Sequence, residues 1–441
     1  MRKFISSLLL FLSYSGLFAQ SYNEKLALAM NMSDWFELDS LYRSAPNDSV
    51  MEFMDVFSRC IIGNRFNRPD ISIPAFSDLF KNYSAEMDLG NMLNMSMMFS
   101  MDLSRVGENQ AAASLLTSLL EGTREYLDST WIGSLQQYIG IYTALSSFNP
   151  YGISMDGEQG LMPFRLVPVG KDGENSLLIH LEDCTVNGND ADITFDTGAG
   201  VNIISDSLAA KFNLTPLDAY NNLAGIGVRK ARYAVAHELK LGNITLRDVP
   251  FCIISLATGN EEADVHFKNL NIVVGSEMML RLKDLTIDFN RGEITVPAEA
   301  PPVGVTRPNM CFSSAMNLLA RGKIHDVPMM MCIDTGDAAD GMLSRRFLED
   351  NERYVLENGK LDTIRQAGLG GISISECYRL TDVSAELGGN TVILPHIVVS
   401  ATDTPRLDYD CIFGLKSLMQ FDRVRFNMVD FNISTFPESV H

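Results

Sequence analysis

Ile193-Thr194-Phe195-Asp196-Thr197-Gly198-Ala199 is a short apolar run that ends in an acid, a hydroxyl residue and a glycine. The arrangement returns at Met330-Met331-Cys332-Ile333-Asp334-Thr335-Gly336-Asp337. Each copy is followed at long range by two apolar residues and a glycine, Val273-Val274-Gly275 and Ile412-Phe413-Gly414, which lie 79 and 80 residues past their aspartates. A single tripeptide is common by chance, but a spacing this long kept in duplicate marks an internal repeat.

Other landmarks recur in the same order between these anchors. After the first tripeptide, Val201-Asn202-Ile203-Ile204-Ser205 opens a helix through Leu208 and Phe212, Gly225-Ile226-Gly227 forms a glycine turn, and Leu239-Lys240-Leu241-Gly242-Asn243 reads as a hairpin. Ile287-Asp288-Phe289 then marks a strand pair. After the second, Met342-Leu343-Ser344 opens a helix through Phe347, Gly368-Leu369-Gly370-Gly371 forms the glycine turn, Leu387-Gly388-Gly389-Asn390 is the hairpin, and Arg425-Phe426-Asn427 closes the series. Four prolines between Pro297 and Pro308 separate the two blocks, as expected of a linker.

Two carboxylates at the ends of such a repeat suit one kind of chemistry. Peptide hydrolysis without metal or covalent intermediate needs an activated water and a proton donor for the leaving nitrogen, and two close acids sharing one proton supply both. Like-charge repulsion keeps one neutral while the other stays ionised, and their titrations belong to the pair. Thr197 and Thr335 can hydrogen-bond beneath the acids and lock the two loops together. Gly198 and Gly336 let backbone N–H groups approach the carboxylates without a Cβ clash. The glycine turns suit the tips of hairpins that close over an extended substrate.

Competing chemistries fail on spacing. His237-Glu238 lacks the second histidine of a zinc-protease helix, because Leu241 stands there. Gly371-Ile372-Ser373-Ile374-Ser375 lacks the closing glycine of a nucleophile elbow. Seven scattered cysteines show no CxxC spacing, so neither a zinc site nor a disulfide scaffold is expected, and Cys332 reads as a buried thiol. His180, His325 and His396 read as ordinary surface or turn residues. No metal or cofactor is called for.

The chain has 441 residues, 46% hydrophobic and 20% charged, which is ordinary for a globular protein of two or three domains. A net charge of −20 argues against nucleic acid or anionic lipid as a partner. Arg2-Lys3, an apolar run from Phe4 to Leu12 and the small residue Ala19 read as a signal peptide over residues 1–20, too short to span a bilayer. An exported protein of the bacterial periplasm or exterior is therefore expected.

Residues 21–150 are methionine-rich, glycine-poor and helically patterned. Ser49 and Glu52 fit a capping box, Gly63 fits the end of that helix, and Pro74 fits the first turn of the next. Further helices are expected at 92–103, 109–120 and 131–145. Helical hairpins that vaguely resemble tetratricopeptide units around Ala111, Ala112, Leu115 and Leu116, or a plain bundle, would serve as a protein-interaction module.

The duplicated motifs resemble those of the aspartyl protease superfamily, specifically bacterial retropepsin-like proteins with both lobes in one chain, as in pepsin. The likeness covers about residues 160–436. It implies a bilobal all-β fold after the all-α region, with lobes at 155–298 and 309–441, a linker at 299–308 and a cleft at the pseudo-twofold axis. It implies a catalytic pair Asp196 and Asp334, positioning by Thr197, Gly198, Thr335 and Gly336, and flap tips at Gly225, Ile226 and Gly227 and at Gly368, Leu369, Gly370 and Gly371. A peptide or unfolded protein would be the substrate. A duplicated lobe removes the need for a homodimer, so a monomer is expected. Asp337 departs from the pattern, which has Ala, Ser or Thr there, and the stretch to Ser344 is one residue longer than its counterpart ending at Ser205. An inactive peptide-binding relative is the alternative, and an inhibitory role for 21–150 a third.

Overall fold

The computed structural model describes residues 21–169, 176–224, 228–255, 270–302, 304, 307–368, 371–402 and 408–437. The expected signal peptide, 1–20, lies outside the described residues. The chain divides into two compact units, Met1–Phe148 and Asn149–His441.

In the first unit, helices α1 (Tyr22–Asn31), α2 (Trp35–Ser44), α3 (Glu52–Arg65), α4 (Pro69–Asn82), α5 (Leu89–Arg105), α6 (Asn109–Thr123) and α7 (Ser129–Leu145) follow one another through short turns. Helices α1 and α2 were not anticipated. The capping box belongs to α1, where the Glu24 N–H donates to Ser21 Oγ and the Ser21 N–H donates to Glu24 Oε2. Ser49 instead donates its hydroxyl to the Pro46 carbonyl, and α3 starts after Met51, whose N–H is satisfied by Asn23 Oδ1 of α1 at 2.9 Å. The start of α3 thus has a tertiary partner for its N-cap N–H and no side-chain cap of its own. Gly63 does not end α3 either: it is buried within the helix, and a Cβ there would lie 2.6 Å from the Ser72 nitrogen of α4. Pro69, not Pro74, takes the first turn of α4, and Pro74 sits in the helix interior. Fully buried Asp102 of α5 accepts from Asn64 of α3 (2.9 Å), Ser72 of α4 (2.6 Å) and Arg105 (2.7 Å), so three helices share one acid.

The first half of the second unit holds β1 (Gly152–Met155), β2 (Gln159–Pro168), β3 (Leu177–Leu181), β4 (Cys184–Val186), β5 (Asn189–Asp190), β6 (Ile193–Phe195), β7 (Ile203–Ser205), α8 (Asp206–Lys211), β8 (Thr215–Ala224), β9 (Val228–Leu241), β10 (Ile244–Ile254), β11 (Ile272–Val274), α9 (Ser276–Leu282), β12 (Asp284–Asp288) and β13 (Glu293–Pro297). The second half holds β14 (Met310–Phe312), β15 (Leu318–Ile324), β16 (Val327–Asp334), β17 (Gly341–Leu343), α10 (Arg345–Asp350), α11 (Glu352–Asn358), β18 (Lys360–Gly368), β19 (Gly371–Leu387), β20 (Asn390–Ser400), β21 (Cys411–Gly414), α12 (Leu415–Leu418), β22 (Arg423–Asn427) and β23 (Asn432–Phe436).

Among the described residues one sheet runs β23-β22-β12-β13-β2-β3-β6-β11-β7-β10-β9-β4-β5 and a second runs β14-β15-β16-β21-β17-β20-β19-β18. The last two strands of the chain thus join the sheet of the first half. β22 pairs antiparallel with β12, and Arg425 grips Asp284 with two bonds of 2.9 and 2.6 Å. The expected blocks 155–298 and 309–441 therefore do not coincide with the two sheets. β6, β11 and β14 are buried at every position. The hairpins expected at Gly242 and at Gly388-Gly389 join β9 to β10 and β19 to β20.

Candidate active site

Each Asp-Thr-Gly lies at the end of a buried strand held in a parallel pair. β6 pairs with β11, setting Val274 beside Phe195, and β16 pairs with β21, setting Gly414 beside Asp334. β7 and β17 lie antiparallel against those partners. The distant apolar-apolar-Gly motifs are thus the strands next to the acids, which accounts for their matched spacing. The Asp196 N–H donates to the Val274 carbonyl at 3.0 Å.

The two loops meet through their threonines. The Thr197 N–H donates to Thr335 Oγ1 (3.0 Å), and the Thr335 N–H donates to Thr197 Oγ1 (3.0 Å). The Thr197 hydroxyl donates to the Ile333 carbonyl (2.8 Å), and the Thr335 hydroxyl donates to the Phe195 carbonyl (3.0 Å). Thr197 is 1% exposed and Thr335 0%, so every one of these four bonds replaces a hydration that neither loop can recover. Residues 138 apart in sequence are locked at one point.

This exchange sets each acid against the inner glycine of the other loop, Asp196 beside Gly336 and Asp334 beside Gly198, close enough for the two carboxylates to titrate together. Asp196 Oδ1 accepts from the N–H groups of Gly198 (2.8 Å) and Ala199 (3.1 Å), and Asp334 Oδ1 accepts from those of Gly336 (2.9 Å) and Asp337 (3.0 Å). The inner glycines face the opposite acid: a Cβ on Gly198 would collide with the Asp334 carboxylate, and one on Gly336 with that of Asp196. Burial, and then the charge of Asp334, push Asp196 well above the ordinary carboxylate range. Burial also raises Asp334, against the backbone donors that favour its charged form. Such a pair retains a proton that isolated carboxyls would have lost, so one member can accept while the other donates.

Asp337 does not turn away to bulk solvent. Its Oδ1 accepts from the Ala339 N–H (3.0 Å), and burial followed by the Asp334 charge pushes it up to about 7. The longer stretch to Ser344 is accommodated around this loop, where Gly341 takes a φ of 100° and packs against the Ile412 carbonyl.

Asn202 escaped the sequence reading as a site residue. It is fully buried, its Oδ1 accepts from the Gly275 N–H (3.1 Å), and its Nδ2 donates to the Tyr151 hydroxyl (2.8 Å) and the Pro250 carbonyl (3.1 Å). It ties the apolar-apolar-Gly strand to the loop after Asp196. An amide set inside the apolar run Val201–Ser205 was the available signal. Asn317 Nδ2 donates to the Gly198 carbonyl at 3.4 Å, another support from the second half.

Of the expected flap residues, Gly225, Ile226, Gly227, Leu369 and Gly370 lie outside the described residues. Their flanks pair as hairpin arms, Ala224 with Val228 and Gly368 with Gly371. His180 is a correction. It is 1% exposed in β3, with Nδ1 3.1 Å from Asp192 Oδ1 and Nε2 3.2 Å from Thr194 Oγ1, because two polar partners satisfy its ring inside the sheet. His325 and His396 are exposed as expected, and His325 occupies the β15–β16 turn. His237 lies on strand β9 beside Thr215 and Asp248, not on a helix. Cys332 is buried, as are the other six cysteines.

A family model described as aspartyl protease matches residues 183–274, which span Asp196-Thr197-Gly198 and end in β11. No curated protein matches the chain. The protein therefore carries an aspartyl-protease-like domain in its β-rich unit.

Proposed function

We propose that the β-rich unit is a bilobal aspartic endopeptidase, with duplicated retropepsin-like lobes meeting at a pseudo-twofold axis and a catalytic pair formed by Asp196 and Asp334. The observation that carries this reading is the reciprocal exchange of four hydrogen bonds between the two loops, two between Thr197 and Thr335 and one from each hydroxyl to the carbonyl of Ile333 or Phe195. In the proposed reaction the ionised member of the pair takes a proton from a water held between the carboxylates. The water oxygen adds to the scissile carbonyl carbon while the neutral member protonates the carbonyl oxygen; the proton taken from water is then given to the leaving nitrogen as the C–N bond breaks, and the diol returns a proton to the pair. The two glycine-tipped hairpins would close over an extended peptide or unfolded protein substrate.

Removal of residues 1–20 on export to the periplasm or exterior, action as a monomer, and recruitment of a protein partner by stacked, tetratricopeptide-like helical hairpins complete the proposal. The deciding experiment incubates the purified protein with unfolded protein substrates from pH 3 to 8, beside Asp196→Asn and Asp334→Asn. Cleavage should fall on the order of 10²–10⁴-fold in each variant, the usual weight of a positioned acid or base. Wild-type cleavage by both would end the assignment. A second reading, a peptide-binding relative without turnover, is favoured by Asp337, an acid where the family pattern has Ala, Ser or Thr. Peptide affinity without cleavage across the same pH range would select it.

A further inference from the structure

The two tripeptides are nearly superimposable in their bonding, but the residue that follows differs: Ala199 in the first, Asp337 in the second. Both donate a backbone N–H to the preceding acid, at 3.1 and 3.0 Å. Only the second brings a carboxylate with it.

The loop that carries it is held in place from several directions. Asp337 Oδ1 accepts from the Ala339 N–H, and the Asp337 carbonyl accepts from the Leu415 N–H of α12 at 2.9 Å. The Ala338 carbonyl accepts from Leu177 at the start of β3 (2.9 Å), and the Ala339 carbonyl from Lys416 (3.1 Å). With three consecutive carbonyls engaged, the backbone of the loop is fixed, and the Asp337 side chain is held on it by the bond from the Ala339 N–H.

The charges around it do not cancel its own. Asp334 of β16 and Asp340 of the same loop are both acids that raise it. Lys416 of α12 lies 3.8 Å from Asp340 and is engaged there. Cys332 of β16 and Cys411 of β21 are thiols that burial keeps protonated, and Asp410 beyond them pairs with Arg346 at 3.7 Å.

We propose that Asp337 is a positioning residue acting through Asp334, a third acid whose negative charge holds the shared proton on the pair and carries the alkaline edge of activity toward neutral pH. The inference rests on the peptidase reading above. Ionisation of Asp337 makes loss of the last proton from Asp196 and Asp334 harder, because a third negative charge would then sit in one desolvated cluster. All three carboxyls titrate as one system.

The test compares pH profiles of kcat/KM for wild type, Asp337→Asn, Asp337→Glu and Asp337→Ala, each normalised to its own maximum, with thermal melting to verify folding. In Asp337→Asn and Asp337→Ala the alkaline limb should move about one pH unit lower, and in Asp337→Glu it should return toward wild type. A limb unmoved in Asp337→Asn overturns the inference. In parallel, carboxyl carbons of labelled aspartates are titrated by NMR in wild type and Asp337→Asn, a readout that needs no turnover. The variant should lose one high-titrating carboxyl and show the remaining pair shifted down; an unchanged pair overturns the inference even in a chain that cleaves nothing. Wild-type cleavage by Asp196→Asn would instead refute the peptidase reading alone.

Discussion

Replacing Thr335 by valine tests whether the junction of the two loops holds the site together. Valine keeps the branched shape but removes the hydroxyl, so two bonds are lost: the one donated to the Phe195 carbonyl and the one accepted from the Thr197 N–H. Both orphaned groups stay buried beside a residue 1% exposed, and each costs about 1–3 kcal/mol. The expected loss is therefore about 2–6 kcal/mol in the stability of the β-rich unit. Urea denaturation would measure it. The probe should be far-UV circular dichroism at a β-sheet wavelength, because the two tryptophans, Trp35 and Trp131, both lie in the helical unit and would report the wrong transition. Thr335→Ser, which keeps the hydroxyl, should recover most of the loss. The double variant with Thr197→Val should lose less than the sum of the singles, because the four bonds form one network that the first substitution already loosens. A loss below about 0.5 kcal/mol in Thr335→Val would refute the argument that these bonds fix the loops, since surface substitutions alone reach that size.

Gly336→Ala places a methyl into the Asp196 carboxylate, and turnover should fall on the order of 10²-fold with little change in secondary structure, checked by kcat on a peptide substrate. Asp196, Asp334 and Asp337 are all held above the ordinary value of 3.8, so the folded unit keeps protons that the unfolded chain releases. Their contribution to stability is full below about pH 4 and is lost as pH rises through the folded values, about 7 for Asp337; Asp196→Asn should flatten that slope in denaturation midpoints measured from pH 4 to 7. Arg425→Met should cost about 1–3 kcal/mol by leaving Asp284, 4% exposed, without its two-pronged partner, and differential scanning calorimetry would detect it as a lower Tm.

Much of the site was legible because its signals are local and repeated. Asp196-Thr197-Gly198 and Asp334-Thr335-Gly336 declare themselves, and the apolar-apolar-Gly motifs follow from the strand that must lie beside each acid. Misreadings cluster where a distant partner overrides a local preference. Ser49 had the right spacing to cap α3, but the helix starts after Met51, whose N–H is bonded by Asn23 of α1. Gly63 looked like a helix end, yet it is small because α4 packs against it. His180 looked like a surface residue because nothing in the chain around it announces that Asp192 and Thr194 would converge on its ring.

Sequence by itself determined the repeated Asp-Thr-Gly motifs with their matched spacing and the change from helical to β-rich chain, because these depend on periodicity and on short-range backbone requirements. Only the tertiary structure decided that the final strands β22 and β23 leave their own half to join the sheet of the other, that Asn202 binds Gly275 to the first loop, and that Asp337 stays beside the pair. Each of those outcomes turns on which buried donor finds which acceptor across 70 or more residues, or on which backbone bonds pin a loop, and residue order carries no distance.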